Sequence, residues 1–341
     1  HAPAMIKING QTIPINSQVL PPEAPRNLLS EIIPATRMEE LLETGELNMG
    51  VPLDGLGNFR VSALDTLNVA PILADLIMEK RGLILMVGAT GAGKSTTMAA
   101  MIDHRNERVS GHILTVEDPI EYTYRNRKSV VNQREIGPDT ASLQIALKNA
   151  LRQAPDVILI GEIRDRETMS AAIAYAQSGH LCLATLHANN SYQALNRILS
   201  FYPVEVRPTM LGDLSAALRA IVSQRLLRTH TGGRVPAMEV MLNTSLIADL
   251  IQKADFSGVR EAMEKSLAEG SQSFEQDLAR LINDGLVARN EGLAHADSPN
   301  NLLWRLQNDF NASKANDAAN ASDEEGGEGA TFTEFTLDVK F

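Results

Sequence analysis

An apolar strand that runs straight into a glycine-rich turn and then a helix leaves this chain few folds to choose from. Leu83-Ile84-Leu85-Met86-Val87 is followed by Gly88-Ala89-Thr90-Gly91-Ala92-Gly93-Lys94-Ser95-Thr96, which fits G-x-x-x-x-G-K-[ST] at every defined position. Glycines there let backbone N–H groups curl around a phosphate without Cβ clashes, and the helix N-terminus adds positive potential. Lys94 is expected to reach the β- and γ-phosphates and Ser95 to ligate Mg²⁺, so Gly88 through Thr96 is the candidate binding segment for ATP. A plain strand–helix turn would need the glycines but not the Lys-Ser behind them.

The surrounding chain supplies a sheet for such a loop. Ile113-Leu114-Thr115-Val116, Val157-Ile158-Leu159-Ile160 and Leu181-Cys182-Leu183-Ala184-Thr185-Leu186 are further short, nearly continuous apolar runs. Helical stretches over 97–105 and 142–152 separate most of them, and Leu143, Ala146, Leu147, Ala150 and Leu151 form an apolar stripe at helical spacing. Strands buried on both faces and alternating with helices predict an α/β fold with a parallel sheet.

Two of these strands end in acids. Ile113–Val116 leads into Glu117-Asp118, with Glu121 slightly beyond, and Val157–Ile160 leads into Gly161-Glu162. On a parallel sheet the nucleotide site lies at the C-terminal strand ends, so one acid is predicted to serve the Mg²⁺ shell and another to orient the attacking water. Strand ends also meet solvent, where carboxylates are ordinary; two such strands beside a phosphate loop favour the site. His180 and His187 bracket the last strand and are candidate γ-phosphate sensors, the alternative being strand-end histidines bonded to backbone. Zinc is not expected from His180, Cys182 and His187, because strand alternation puts His187 on the opposite face from the other two.

Composition narrows the class. With 44% apolar, 21% charged and 4% aromatic residues the chain is ordinary globular material, neither collagenous nor fully disordered. The formal net charge is −11, of which 311–341 contribute −5 through two basic and seven acidic residues. An acidic surface without a basic, aromatic-rich groove argues against a nucleic-acid partner. The single cysteine, Cys182, excludes an internal disulfide and a multi-thiolate zinc module. No run reaches the ~18 apolar residues of a membrane span and no secretory signal is visible, so a cytoplasmic protein is expected.

Residues 1–62 read as a small α+β module: a strand and tight turn at Ile6-Lys7-Ile8-Asn9-Gly10-Gln11, a helix over 39–47, and a strand at Phe59-Arg60-Val61. Beyond Glu239 the chain reads as helical, with Leu246, Leu250, Met263, Leu267, Leu278, Leu281 and Leu286 marking its buried faces. The expected division is 1–62, an ATPase domain over 63–239, a helical segment over 240–307, and an acidic tail over 308–341 that looks flexible and closes with strand-like alternation from Phe335.

Together these segments resemble the secretion and type IV pilus ATPases. The phosphate loop, Val116-Glu117-Asp118-Pro119-Ile120-Glu121, the run from Asp156 to Asp165, and Gly179-His180-Leu181-Cys182-Leu183-Ala184-Thr185-Leu186-His187 look like that family's Walker A, Asp box, Walker B and His box, in the family's order. The resemblance extends over roughly residues 1–305. One cysteine and a short front end point away from the extension and type II secretion branches, and the N-terminal strands look like parts of the small PAS-like domain of the PilT/PilU-type retraction ATPases. Asn149-Ala150-Leu151-Arg152-Gln153-Ala154-Pro155 and Leu186-His187-Ala188-Asn189-Asn190 are nearer the accessory, PilU-type branch.

The resemblance implies a RecA-like ATPase domain in a hexameric ring, at the cytoplasmic side of the inner membrane, acting on a pilus platform protein beside a PilT-type partner. It makes Glu117 the general base, Glu162 the Walker B acid that positions Mg²⁺ through water, His180 and His187 the couplers of γ-phosphate to domain movement, and Arg60 an arginine that approaches the nucleotide as domains close. The arginine-bearing segment of PilT-type proteins is replaced by Ser245-Leu246-Ile247-Ala248-Asp249-Leu250-Ile251, which raises a second possibility: a regulatory subunit with little turnover of its own. Relatives also carry residues ahead of His1 and between positions like Ser62 and Ala63.

Overall fold

The computed structural model describes residues 3–8, 11–19, 63–265 and 268–308. At the front, β1 (Pro3–Ile8) and β2 (Gln11–Val19) pair antiparallel with Ile8 opposite Gln11, as expected for strands flanking Asn-Gly. The predicted helix over 39–47, the strand at 59–61 with Arg60, Leu267, and the alternating segment from Phe335 lie outside the described residues.

The main body is a seven-stranded sheet. In chain order its elements are α1 (Ile72–Leu76), β3 (Gly82–Val87), α2 (Lys94–Arg108), β4 (Gly111–Glu117), β5 (Ser129–Glu135), α3 (Leu143–Ala150), β6 (Val157–Ile160), α4 (Arg166–Gln177), β7 (Leu181–Leu186), α5 (Ser191–Ser200), α6 (Arg207–Ala217), β8 (Leu218–Arg228) and β9 (Arg234–Leu242). The strand order is β5-β4-β6-β7-β3-β8-β9, parallel throughout except that β9 returns antiparallel to β8. Then follow α7 (Ser245–Gln252), α8 (Phe256–Glu264), α9 (Phe274–Asn283), α10 (Arg289–Ala294) and a last helix over 299–308.

Strand alternation divides the core between the two faces of the sheet. Leu83, Leu85, Val87, Leu114, Val116, Ile158 and Cys182 pack on the layer of α3, α4, α5 and α6. Ile84, Met86, Ile113, Leu159 and Leu183 face α1 and α2 through Leu73, Leu76, Met98, Met101 and Ile102. The far half of the β8–β9 hairpin leaves this core and covers a third cluster, in which Leu227, Val235 and Ala237 meet Phe274, Leu278, Leu281 and Leu302.

Three strands go beyond the four apolar runs. β5 escapes a reading by apolar runs because Asn132, Gln133, Arg134 and Glu135 interrupt its apolar character. β8 begins directly after α6 with no turn residue to mark the change, and β9 carries the sheet through Glu239 to Leu242, so the helical region starts at Ser245. Met263, Leu278 and Leu281 are buried, whereas Leu246 stands exposed on α7. Among the described residues, no helix is long and apolar enough to cross a membrane.

Leu85 is fully buried at the centre of β3, with strands on both sides. Leu85→Ala should destabilise the protein by about 2–5 kcal/mol, whereas Val204→Ala, at a position 67% exposed, should stay within about 0.5 kcal/mol. Urea unfolding midpoints of the two variants check this.

Candidate active site

Because β3, β7, β6 and β4 are parallel neighbours, their C-terminal ends open on one edge of the sheet. β3 delivers the Gly88–Ser95 loop, β7 His187, β6 Glu162 and β4 Glu117. Adjacent strands lie ~4.8 Å apart, so groups carried by four of them fall within the span of a nucleotide triphosphate. They line a single cavity of about 410 Å³ together with Thr90, Ser95, Glu121, Tyr122 and Arg164.

The loop is held from behind. Lys94, only 9% exposed, opens α2, and its Nζ donates to the carbonyls of Gly88 at 2.7 Å and Ala89 at 2.9 Å. Burial lowers its pKa, while Glu162 and Glu121 pull it back up. On the neighbouring β8, Gln224 donates to the Ala92 carbonyl and accepts from Thr97 Oγ1, both at 2.8 Å. Its backbone presses so closely that a Cβ on Gly88, at φ +152°, would sit 2.5 Å from the Gln224 carbonyl oxygen. Thr96 Oγ1 lies 2.7 Å from the Tyr122 hydroxyl and ties α2 to the acidic turn after β4.

The two glutamates occupy different surroundings. Glu117 is half-buried; its Oε1 accepts from Thr115 Oγ1 at 2.7 Å and Gln133 Nε2 at 3.2 Å. Burial pushes its carboxyl above the ordinary value, and those two bonds oppose the shift. Glu162 is gripped by Arg164 through Nε at 2.8 Å and a second guanidinium nitrogen at 2.7 Å, while His187 Nε2 lies 3.1 Å from its other oxygen. The turn that carries Glu162 is fixed to the next strand: Ile163 N–H bonds the Thr185 carbonyl at 2.9 Å and Thr185 Oγ1 bonds the Gly161 carbonyl, pinning residues 161–163 on β7.

His180 and Arg60 are not among these groups. His180 precedes β7, at the opposite end of the strand, ~20 Å from the loop by strand rise. Its Nδ1 is 3.2 Å from the Tyr175 carbonyl and its ring meets Tyr175 edge-on, so within one chain it stands at the strand base, away from the phosphate loop. Arg60 lies outside the described residues. Sequence reading missed Arg164, Gln133 and Gln224; Arg164 had a signal in its position two residues after Glu162, whereas Gln133 sits on a mostly polar strand and Gln224 on one whose apolar spacing also fits a helix.

A glycine-rich loop with a buried lysine, facing carboxylates at the ends of parallel strands, is the arrangement of a P-loop nucleotide-binding protein. The profile of the Type II/IV secretion system protein family matches residues 63–263, and the chain belongs to that family. Within it the chain is a PilT/PilU-type pilus ATPase: it is 44% identical to the type IV pilus ATPase PilU of Pseudomonas aeruginosa over 326 residues, covering 89% of this chain and 85% of that one. It is 33% identical to the type IV pilus retraction ATPase PilT of the same organism over 320 residues, covering 88% and 93% of the two chains. The crystal structure of the pilus retraction motor PilT with bound ADP superposes with a TM-score of 0.77 at 34% identity, over 87% of this chain and 91% of that one. The Legionella pneumophila ATPase DotB, at 24% identity and a TM-score of 0.72, shares the fold.

Gly88→Ala should cost about 1–3 kcal/mol, because the new methyl meets backbone that cannot retreat, whereas Gly91→Ala, with nothing within 4 Å, carries only the strain of its φ of +78°. Denaturant midpoints should therefore rank Gly88→Ala below Gly91→Ala.

Proposed function

We propose that the chain is the subunit of a hexameric ring that hydrolyses Mg·ATP and powers or assists type IV pilus retraction. The observation that carries this reading is the convergence of Lys94, Glu117, Glu162 and His187 in one cavity beside the phosphate loop. The relatives' pilus functions and the ADP in the related PilT structure support it.

In this mechanism the N–H groups of Gly88–Ser95 and the Lys94 ammonium bind the β- and γ-phosphates. Lys94 exchanges its carbonyl partners for phosphate oxygens, a charge-assisted replacement. Glu117 takes a proton from water as the water oxygen bonds the γ-phosphorus and the bond to the β–γ bridging oxygen breaks, leaving ADP and phosphate. The hydroxyl of Ser95 and the carboxylates of Glu162 and Glu121 are hard oxygen donors on the same cavity, the set Mg²⁺ favours, with Glu162 acting through water. The ion, when bound, neutralises developing phosphate charge. His187, bonded to Glu162, reports the γ-phosphate to the chain beyond it.

Force requires that ATP bind the closed arrangement of domains more tightly than ADP does. We assign the 1–62 module, with Arg60, and the 63–239 domain as the bodies that close, the 240–307 helices as a lobe on the second, and 308–341 as an acidic tail. The ring works at the cytoplasmic face of the inner membrane against a pilus platform protein. A second reading rests on Ser245–Ile251, where arginine is absent: an ATP-binding regulatory partner of a PilT-type ring with little independent turnover.

Two measurements follow. Lys94→Ala should lower affinity for a fluorescent ATP analogue by about 100-fold or more, since it removes a charged donor to two phosphates. Because burial raises the Glu117 pKa and the reaction needs the carboxylate, kcat should fall on the acid side at a pH above the ordinary carboxylate range. Glu117→Gln should abolish that limb along with most of the turnover.

A further inference from the structure

We infer that Gln133 is a positioning residue for the Glu117 carboxylate and for the acidic turn that follows it; this rests on the reading of Glu117 as the general base. Gln133 lies on β5, the edge strand farthest from the phosphate loop on that side of the sheet. Its one side chain makes three bonds across the end of β4. Nε2 donates to Glu117 Oε1 at 3.2 Å and to the Tyr122 carbonyl at 2.7 Å, and Oε1 accepts from Tyr124 N–H at 3.0 Å. Two residues on, Glu135 accepts from Ile120 N–H at 3.1 Å. Strand alternation puts positions 133 and 135 on the same face, so β5 acts as a template against which residues 117–124 are folded.

The consequence for chemistry is orientation. Thr115, buried on β4, and Gln133 donate to the same oxygen of Glu117 from different strands, which anchors that oxygen. A half-buried base held by fewer donors keeps more rotamer freedom, and misplacement of a proton acceptor by about 1 Å is expensive in rate. Holding Tyr122 adds a second effect, since its hydroxyl is bonded to Thr96, next to Ser95. Gln133 therefore registers the base against the phosphate loop without touching the nucleotide.

The test is single-turnover ATP hydrolysis by the full chain, read over hours so that slow variants remain measurable. Gln133→Met keeps the length of the side chain and removes its polar atoms. It should lower the rate about tenfold, the worth of one hydrogen bond to a charged group, and leave affinity for a fluorescent ADP analogue unchanged. In a Glu117→Gln background the same change should cost clearly less than tenfold, because the carboxylate it positions is gone and only its hold on the turn remains. Gln133→Glu, which keeps the Tyr124 acceptor but loses both donors, should be at least as slow as Gln133→Met. A wild-type rate in Gln133→Met, or an undiminished tenfold loss in the Glu117→Gln background, overturns the role of Gln133. Wild-type protein that does not hydrolyse ATP overturns the proposed function instead.

Discussion

A buried ammonium is the constraint around which this molecule is arranged. Lys94 sits at the first position of α2, under the loop that β3 feeds, where desolvation works against its charge. Backbone carbonyls of Gly88 and Ala89 satisfy its protons, and carboxylates on neighbouring strand ends supply opposite charge. Only a parallel sheet brings several strand C-termini beside one helix N-terminus, so the demand for carboxylates and the choice of fold are the same requirement. The order β4-β6-β7-β3 then grades the site: His187 nearest the loop, Glu162 next, Glu117 farthest.

The site does not end at its acids. His187 leads within three residues to Asn190, whose side chain caps α5 and bonds Asp297 at 2.8 Å. The Asn189 carbonyl accepts from Arg225, which pairs with Asp297, bonds the His295 carbonyl and lies 3.8 Å over the Phe274 ring. Behind them the buried Glu239 accepts from the backbone and hydroxyl of Ser191 and from Ser223 Oγ, with burial raising its pKa. The contact bonded to Glu162 is thus continuous, through one short loop, with the clamp that fastens the C-terminal helices to β8. A network of paired charges and bonded backbone groups favours discrete arrangements over gradual deformation.

What was legible in the sequence followed from chemistry that demands particular residue types. Lys94-Ser95 after a glycine turn suits little besides a phosphate, and apolar runs ending in Glu117 and Glu162 marked their strands directly. What was not legible had its determinants elsewhere in the fold. β5 is a strand because β4 lies beside it, although its own side chains are mostly polar. β8 and β9 are strands because each completes the other's ladder, while the run from Leu218 also fits helical spacing. His180 and His187 look equivalent in sequence, bracketing one strand, and only the direction of that strand puts one at the site and the other at the base. Gln133 and Gln224 carry no motif; their importance appears when the backbone groups they satisfy are brought to them.

If Lys94, Glu117 and Glu162 of one chain form a working hydrolytic site, steady-state Mg·ATP turnover of the purified protein beside Glu162→Gln will show it, with particle mass recorded by light scattering on the same samples. Measurable turnover is expected in the wild type, and its loss in the variant at unchanged oligomer mass. Equal turnover in both, or none in either with ATP still bound, would contradict a working site.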